Sequence, residues 1–104
     1  MESIKTFKDL EFVIHPILLD AKSSQVTKEV FGNSKNAVME FENGYGVSVI
    51  LGEQFYSNGI DNYEVAVLKN GIICHKTYIT DNVVGYQTEN EVTEIMRKVQ
   101  ELNK

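Results

Sequence analysis

Phe41-Glu42-Asn43-Gly44-Tyr45-Gly46-Val47-Ser48-Val49-Ile50 reads as two strands joined at Asn43-Gly44. A two-residue turn of type I′ needs positive φ at both central positions, and Asn followed by Gly meets that demand at least steric cost. The strand pattern starts upstream at Ala37-Val38-Met39-Glu40 and runs on to Leu51. Pairing across Asn43-Gly44 predicts Glu42 opposite Tyr45, Phe41 opposite Gly46, Glu40 opposite Val47 and Val38 opposite Val49. One face then carries Ala37, Met39, Phe41 and Ile50, and the other Val38, Val47, Val49 and Leu51. Both faces are partly apolar, so each calls for a cover.

Working outward toward the C-terminus, residues 52 to 62 form a loop longer than a hairpin needs. Loops of this length in a compact domain are functional more often than short ones. Tyr63 to Leu68 and the return strand Ile72 to Ile79 flank Asn70-Gly71, which predicts a second hairpin and hence a four-stranded antiparallel meander. Residues 80 to 86 read as a connector. Thr88-x-x-Glu91 is a capping box, and Val92, Ile95, Met96, Val99 and Leu102 make one apolar helical stripe. Glu94 and Lys98 are spaced for an i, i+4 pair. The helix is expected to lie across one face of the meander.

Toward the N-terminus, residues 32 to 36 read as loop and residues 17 to 36 carry no clear period. Leu10-Glu11-Phe12 followed by Ile14 alternates, and Pro16 ends that pattern, so an edge strand or extended arm is expected there. The fold class is α+β, in one domain over residues 1 to 104. The second sheet face is expected under the N-terminal segment or under a second copy of the chain, as in a homodimer.

The chain carries a formal net charge of -5, which repels phosphate backbones and anionic membranes. Neither a nucleic-acid nor a membrane partner is expected. Cys74 is the only cysteine, which forbids an intrachain disulfide and fits a reducing compartment. No basic region followed by an apolar run opens the sequence, and the apolar runs are too short to span a bilayer, so a cytoplasmic location is expected.

Few residues suggest chemistry. Cys74 and His75 are adjacent on a predicted strand, so their side chains point to opposite faces and form no dyad with each other. A Cys74–His15 pair is open geometrically without support from the sequence. One cysteine and two histidines match no zinc pattern, and no Asp-rich calcium loop is present. Gly44-Tyr45-Gly46 lies in a hairpin and is no dinucleotide loop. No catalytic set, metal or cofactor is expected, and the chain reads as a non-enzyme. Phe55, Tyr56 and Tyr86 fall in predicted connectors, where an aromatic side chain anchors a partner or merely packs the loop. Together with Asp61 they are the candidate partner-binding residues.

The motif order Phe41-x-Asn43-Gly44-Tyr45-Gly46-Val47-Ser48-Val49, Tyr63-Glu64-Val65-Ala66-Val67-Leu68, Ile79-Thr80-Asp81-Asn82-Val83-x-Gly85-Tyr86 and Thr88-Glu89-x-Glu91-Val92 resembles a family of small phage and prophage proteins. The resemblance spans about residues 37 to 104, with a weaker match at Phe12 and His15-Pro16. That family has no established activity to transfer. The resemblance implies a phage accessory protein that binds a host or phage protein, one form being inhibition of a host defence or metabolic protein. Two other readings stand beside it: a small-molecule binder or enzyme with a pocket between sheet and helix, and a homo-oligomeric structural protein.

Overall fold

The computed structural model describes residues 4–14, 34–53, 55–73 and 83–102. The expectations for residues 17 to 33, for His15, Cys74 and His75, and for the return strand beyond Ile73 lie outside the described residues.

The fold is α+β. A 3-10 turn (Phe7–Asp9) precedes strands β1 (Val13–Ile14), β2 (Lys35–Glu40), β3 (Tyr45–Leu51), β4 (Tyr63–Lys69), β5 (Ile72–Ile73) and β6 (Val83–Gln87), and helix α1 (Glu89–Gln100) follows. The strands form one antiparallel sheet in the order β1-β2-β3-β4-β5, with β6 also paired to β4. Among the described residues the sheet therefore has six strands, where a meander of four beside an N-terminal edge strand or arm was expected. Val13–Ile14 joins the β2 edge as the expected N-terminal edge strand, and the one addition is Val83–Gln87, which was expected as a connector and pairs with β4. Because β3 occupies one side of β4, β5 and β6 share the other: β5 pairs at Leu68 and Lys69, and β6 at Tyr63 to Ala66.

The first hairpin differs from its predicted register by one residue. Glu40 pairs with Gly46, Met39 with Val47, Val38 with Ser48 and Ala37 with Val49. Phe41 N–H donates to the Tyr45 carbonyl at 2.7 Å, so the loop is Glu42-Asn43-Gly44 rather than Asn43-Gly44 alone. Only Gly44, at φ +88°, is left-handed there. The reason lies in Asn43. Its Oδ1 accepts from Tyr45 N–H at 3.0 Å, and its Nδ2 donates to the Val99 and Leu102 carbonyls, each at 2.9 Å. That side chain caps the end of α1, and the capping geometry fixes a three-residue loop. A one-residue slip exchanges faces. Ala37, Met39 and Phe41 thus share a face with Tyr45, Val47, Val49 and Leu51, and the opposite face carries Val38, Ser48 and Ile50. The second turn keeps the predicted form, with Asn70 at φ 53° and Gly71 at φ 83°, and Lys69 paired to Ile72.

Helix α1 starts as predicted. Thr88 Oγ1 accepts from Glu91 N–H at 3.2 Å, and Glu91 Oε1 accepts from Thr88 N–H at 2.9 Å. Val92, Ile95, Met96 and Val99 are buried against Val47, Val49, Val65 and Val67, with Leu102 beside them. Each such side chain contributes about 1.5–3 kcal/mol by leaving water. Arg97, not Lys98, takes the ion-pair role, bridging Glu94 at 2.8 Å and Glu101 at 2.5 Å.

The described N-terminal residues Phe7 and Phe12 pack on the helix-bearing face; the cover expected on the second face lies outside the described residues, while Ala66 and Leu68 on that face are buried. Phe7 and Phe12 stack at 5.0 and 5.7 Å from the Tyr63 ring, which shares a face with Val65 and Val67. Lys5 N–H donates to Gln100 Oε1 at 2.8 Å and Gln100 Nε2 donates to the Lys5 carbonyl at 2.9 Å. Among the described residues no helix is long and apolar enough to cross a membrane.

Candidate functional site

The loop between β3 and β4 is held by its own polar side chains. Ser57, only 4% exposed, accepts from Gly52 N–H at 3.1 Å and Gly59 N–H at 3.0 Å, and donates to the Asn62 carbonyl at 2.7 Å. Asn58 Oδ1 receives the N–H groups of Ile60, Asp61 and Asn62 at 2.9–3.1 Å, and Asn62 Oδ1 receives Asn58 N–H at 2.6 Å. Such Asx-type closures replace the ladder that a loop lacks. The loop is therefore a fixed platform.

Strand β6 meets this platform through a bulge. Val84 pairs with Val65 and Gln87 with Tyr63, so Gly85 and Tyr86 together oppose Glu64. Tyr86 adopts φ +55°, a conformation that a bulky residue rarely takes. Its N–H leaves the ladder and donates to the Tyr56 carbonyl at 2.8 Å. Gly85 accepts the close approach of Tyr56: a Cβ added there would stand 2.5 Å from Tyr56 Cβ. The bulge thus joins the loop to the sheet and turns Tyr86 outward.

Tyr56 and Tyr86, predicted as candidate partner-binding residues, come together here, and both are 58% exposed. Asp61 is exposed and accepts from Asn58 Nδ2 at 2.7 Å. Phe55 is half-buried, with its N–H on the Gly52 carbonyl and its own carbonyl on Ser57 N–H, so it serves the platform more than the surface. Two residues at this end escaped sequence reasoning. Ile60, on the same loop, is 76% exposed. Glu64, on strand β4, is not among the candidate residues of the sequence. Its Oε2 is buried without a hydrogen-bond partner. Burial raises its pKa, offset in part by the Tyr56 backbone N–H. Nearby, burial and then the charges of Glu89 and Asp61 push up the Tyr63 hydroxyl. The Ser57-Asn58-Gly59 run was the available signal for an ordered loop; nothing local in the sequence marks the bulge.

A separate cleft of about 430 Å³ lies beside the first hairpin turn and the end of α1, lined by Ile4, Lys5, Glu40, Phe41, Glu42, Asn43 and Gln100. It sits at the helix end, not between sheet and helix, and carries side chains of both signs. Among the described residues no group of three or more His, Cys, Asp or Glu side chains is placed to hold a metal ion. No family model, no curated protein and no solved structure matches the chain.

Proposed function

We propose that this chain is a small protein-binding accessory module, of the phage or prophage kind that its motif order resembles, acting without catalysis in the host-cell cytoplasm. The observation that carries the reading is the pairing of the exposed Tyr56 and Tyr86, with exposed Ile60 on the same loop as Tyr56. Two tyrosines joined through their backbones are exposed, Tyr56 on the ordered loop and Tyr86 on β6, and Tyr86 is held at a left-handed φ. Backbone strain of this kind costs about 1–3 kcal/mol and persists where the surroundings enforce it, commonly at binding sites. Exposed tyrosines on rigid backbone are effective interface anchors because little side-chain entropy is lost on docking. Inhibition of a host defence protein is the specific form that the resemblance favours.

The test is affinity capture from host lysate with the wild type and with a Tyr56→Ser/Tyr86→Gly double variant of verified fold. A partner retained by the wild type at moderate salt and lost by the variant supports the reading. Equal retention by both, or no partner at all, defeats it.

A second reading, self-association, is favoured by the sheet face opposite α1. Val13, Val38 and Ile73 share that face by register and are 59%, 58% and 42% exposed. Light scattering that reports a monomer at high concentration would remove it.

A further inference from the structure

We infer that the partner docking on Tyr56 and Tyr86 is basic: a protein segment bearing arginine or lysine beside an apolar side chain, with Glu64 and Asp61 as its carboxylate receptors. The inference rests on the protein-binding reading and specifies the chemistry of the same surface.

Charge decides the sign. Residues 52–64 and 83–93 hold five carboxylates (Glu53, Asp61, Glu64, Glu89, Glu91) and no lysine or arginine, while Glu94 farther along α1 is paired with Arg97. These stretches supply the loop, the start of β4, β6 and the first turns of α1, which the Tyr63–Gln87 pairing brings to one end of the sheet. Lys8 and Lys35 belong to the adjoining 3-10 turn and the start of β2. An acidic partner or a nucleic acid would meet repulsion here. A purely apolar partner would strip water from carboxylates and return nothing for it.

Glu64 adds an independent observation. It opposes the bulge that presents Tyr86, and the Tyr56 backbone lies near enough to lower its pKa in part, so it belongs to the same few residues. Its Oε2 is shielded from water with no hydrogen-bond partner among the described residues, while the side chain as a whole is only partly buried. The partly exposed remainder of the side chain is where a partner's charge-assisted donor meets it, and the low-dielectric surroundings strengthen that attraction. The two exposed rings complete the receptor, since a guanidinium or ammonium group is attracted to an aromatic face. The chain already makes one such contact: Lys69 Nζ lies 5.4 Å from the centre of the Tyr45 ring.

The test is selection of random peptides of about a dozen residues against the full chain, counter-selected on the folded Tyr56→Ser/Tyr86→Gly variant. Peptides enriched in arginine or lysine next to an aliphatic or aromatic residue are expected. Their affinity should fall about tenfold with Glu64→Gln, and should weaken as salt rises. Patch-dependent peptides without basic residues, or basic ones indifferent to Glu64→Gln, would overturn the inference and leave the protein-binding reading standing. Selection that yields no patch-dependent peptide would overturn both.

Discussion

The two ends of β4 are built to different rules. At its C-terminal end the strand passes through Asn70-Gly71 into β5 in regular register, and the neighbouring turn docks on it through Asn70 N–H and the Gly44 carbonyl at 2.9 Å. Asn43 there answers carbonyls at the end of α1. At its N-terminal end the ladder is broken by the Gly85–Tyr86 bulge, a bulky residue holds φ +55°, and a carboxylate oxygen lies buried without a partner. The first end uses the Asn43 side chain and the Asn70 N–H to close the fold. The second keeps strain and an unanswered charge beside exposed aromatics, which is the local inconsistency expected where a surface is shaped for something other than stability.

This contrast can be broken or sharpened by mutation. The largest effect is expected in the shared core. Met96 is fully buried, and Met96→Ala should cost about 3 kcal/mol in chemical denaturation through lost transfer energy and the cavity left behind. Next is the ordered end: Asn43→Ala removes two caps and one turn bond, and should cost about 1–2 kcal/mol, read by thermal or urea unfolding. At the other end the sign should reverse. Tyr86→Gly relieves the left-handed backbone and loses little buried surface, so stability should rise by up to about 1 kcal/mol while partner binding is lost. A destabilised Tyr86→Gly protein would remove the distinction between the two ends.

The smallest effect concerns Glu64. Its folded pKa is raised above 4.5, chiefly by burial, so the folded protein holds this proton to higher pH than the unfolded chain does. The burial penalty is therefore fully present at neutral pH and is relieved as pH falls through the raised value toward 4.5. Relative to the wild type, Glu64→Gln should gain a few tenths to about 1 kcal/mol at neutral pH, allowing for solvent screening of a partly exposed group. The gain should vanish in acid. Taking the difference between the two proteins cancels the opposing contribution of Glu94, whose pKa is lowered by Arg97. A difference that does not change between neutral pH and pH near 4.5 would show that Glu64 is not held in a desolvated state.

What was legible in the sequence follows the range of the interactions involved. Helix α1 could be read because its capping box and apolar stripe are local in the chain, and the Asn70-Gly71 turn because its pairing depends on the turn alone. The register of the first hairpin could not, since it is decided by Asn43 reaching across to Val99, 56 residues away. The exposed Tyr56 and Tyr86 could be picked out as large aromatics in predicted connectors. Their contact could not, because it depends on a bulge, and no residue type encodes that Gly85 and Tyr86 will face one residue of β4. Glu64 was hidden for the same reason: alternation along a strand marks it as polar and outward, while the covering Tyr56 backbone comes from a different segment.

The amide of Gln100 both accepts from and donates to the backbone of Lys5, as a neighbouring strand would, and joins positions 95 residues apart. Closing a ring of that length is entropically costly, so the clasp holds only while the arm's rings remain seated on Tyr63. Release of the arm and fraying of the last helical turn then become one event. In hydrogen exchange, the amides of Lys5 and Leu10 and those of the final turn of α1 should open at a common rate, as a single cooperative unit within an otherwise slower-opening sheet.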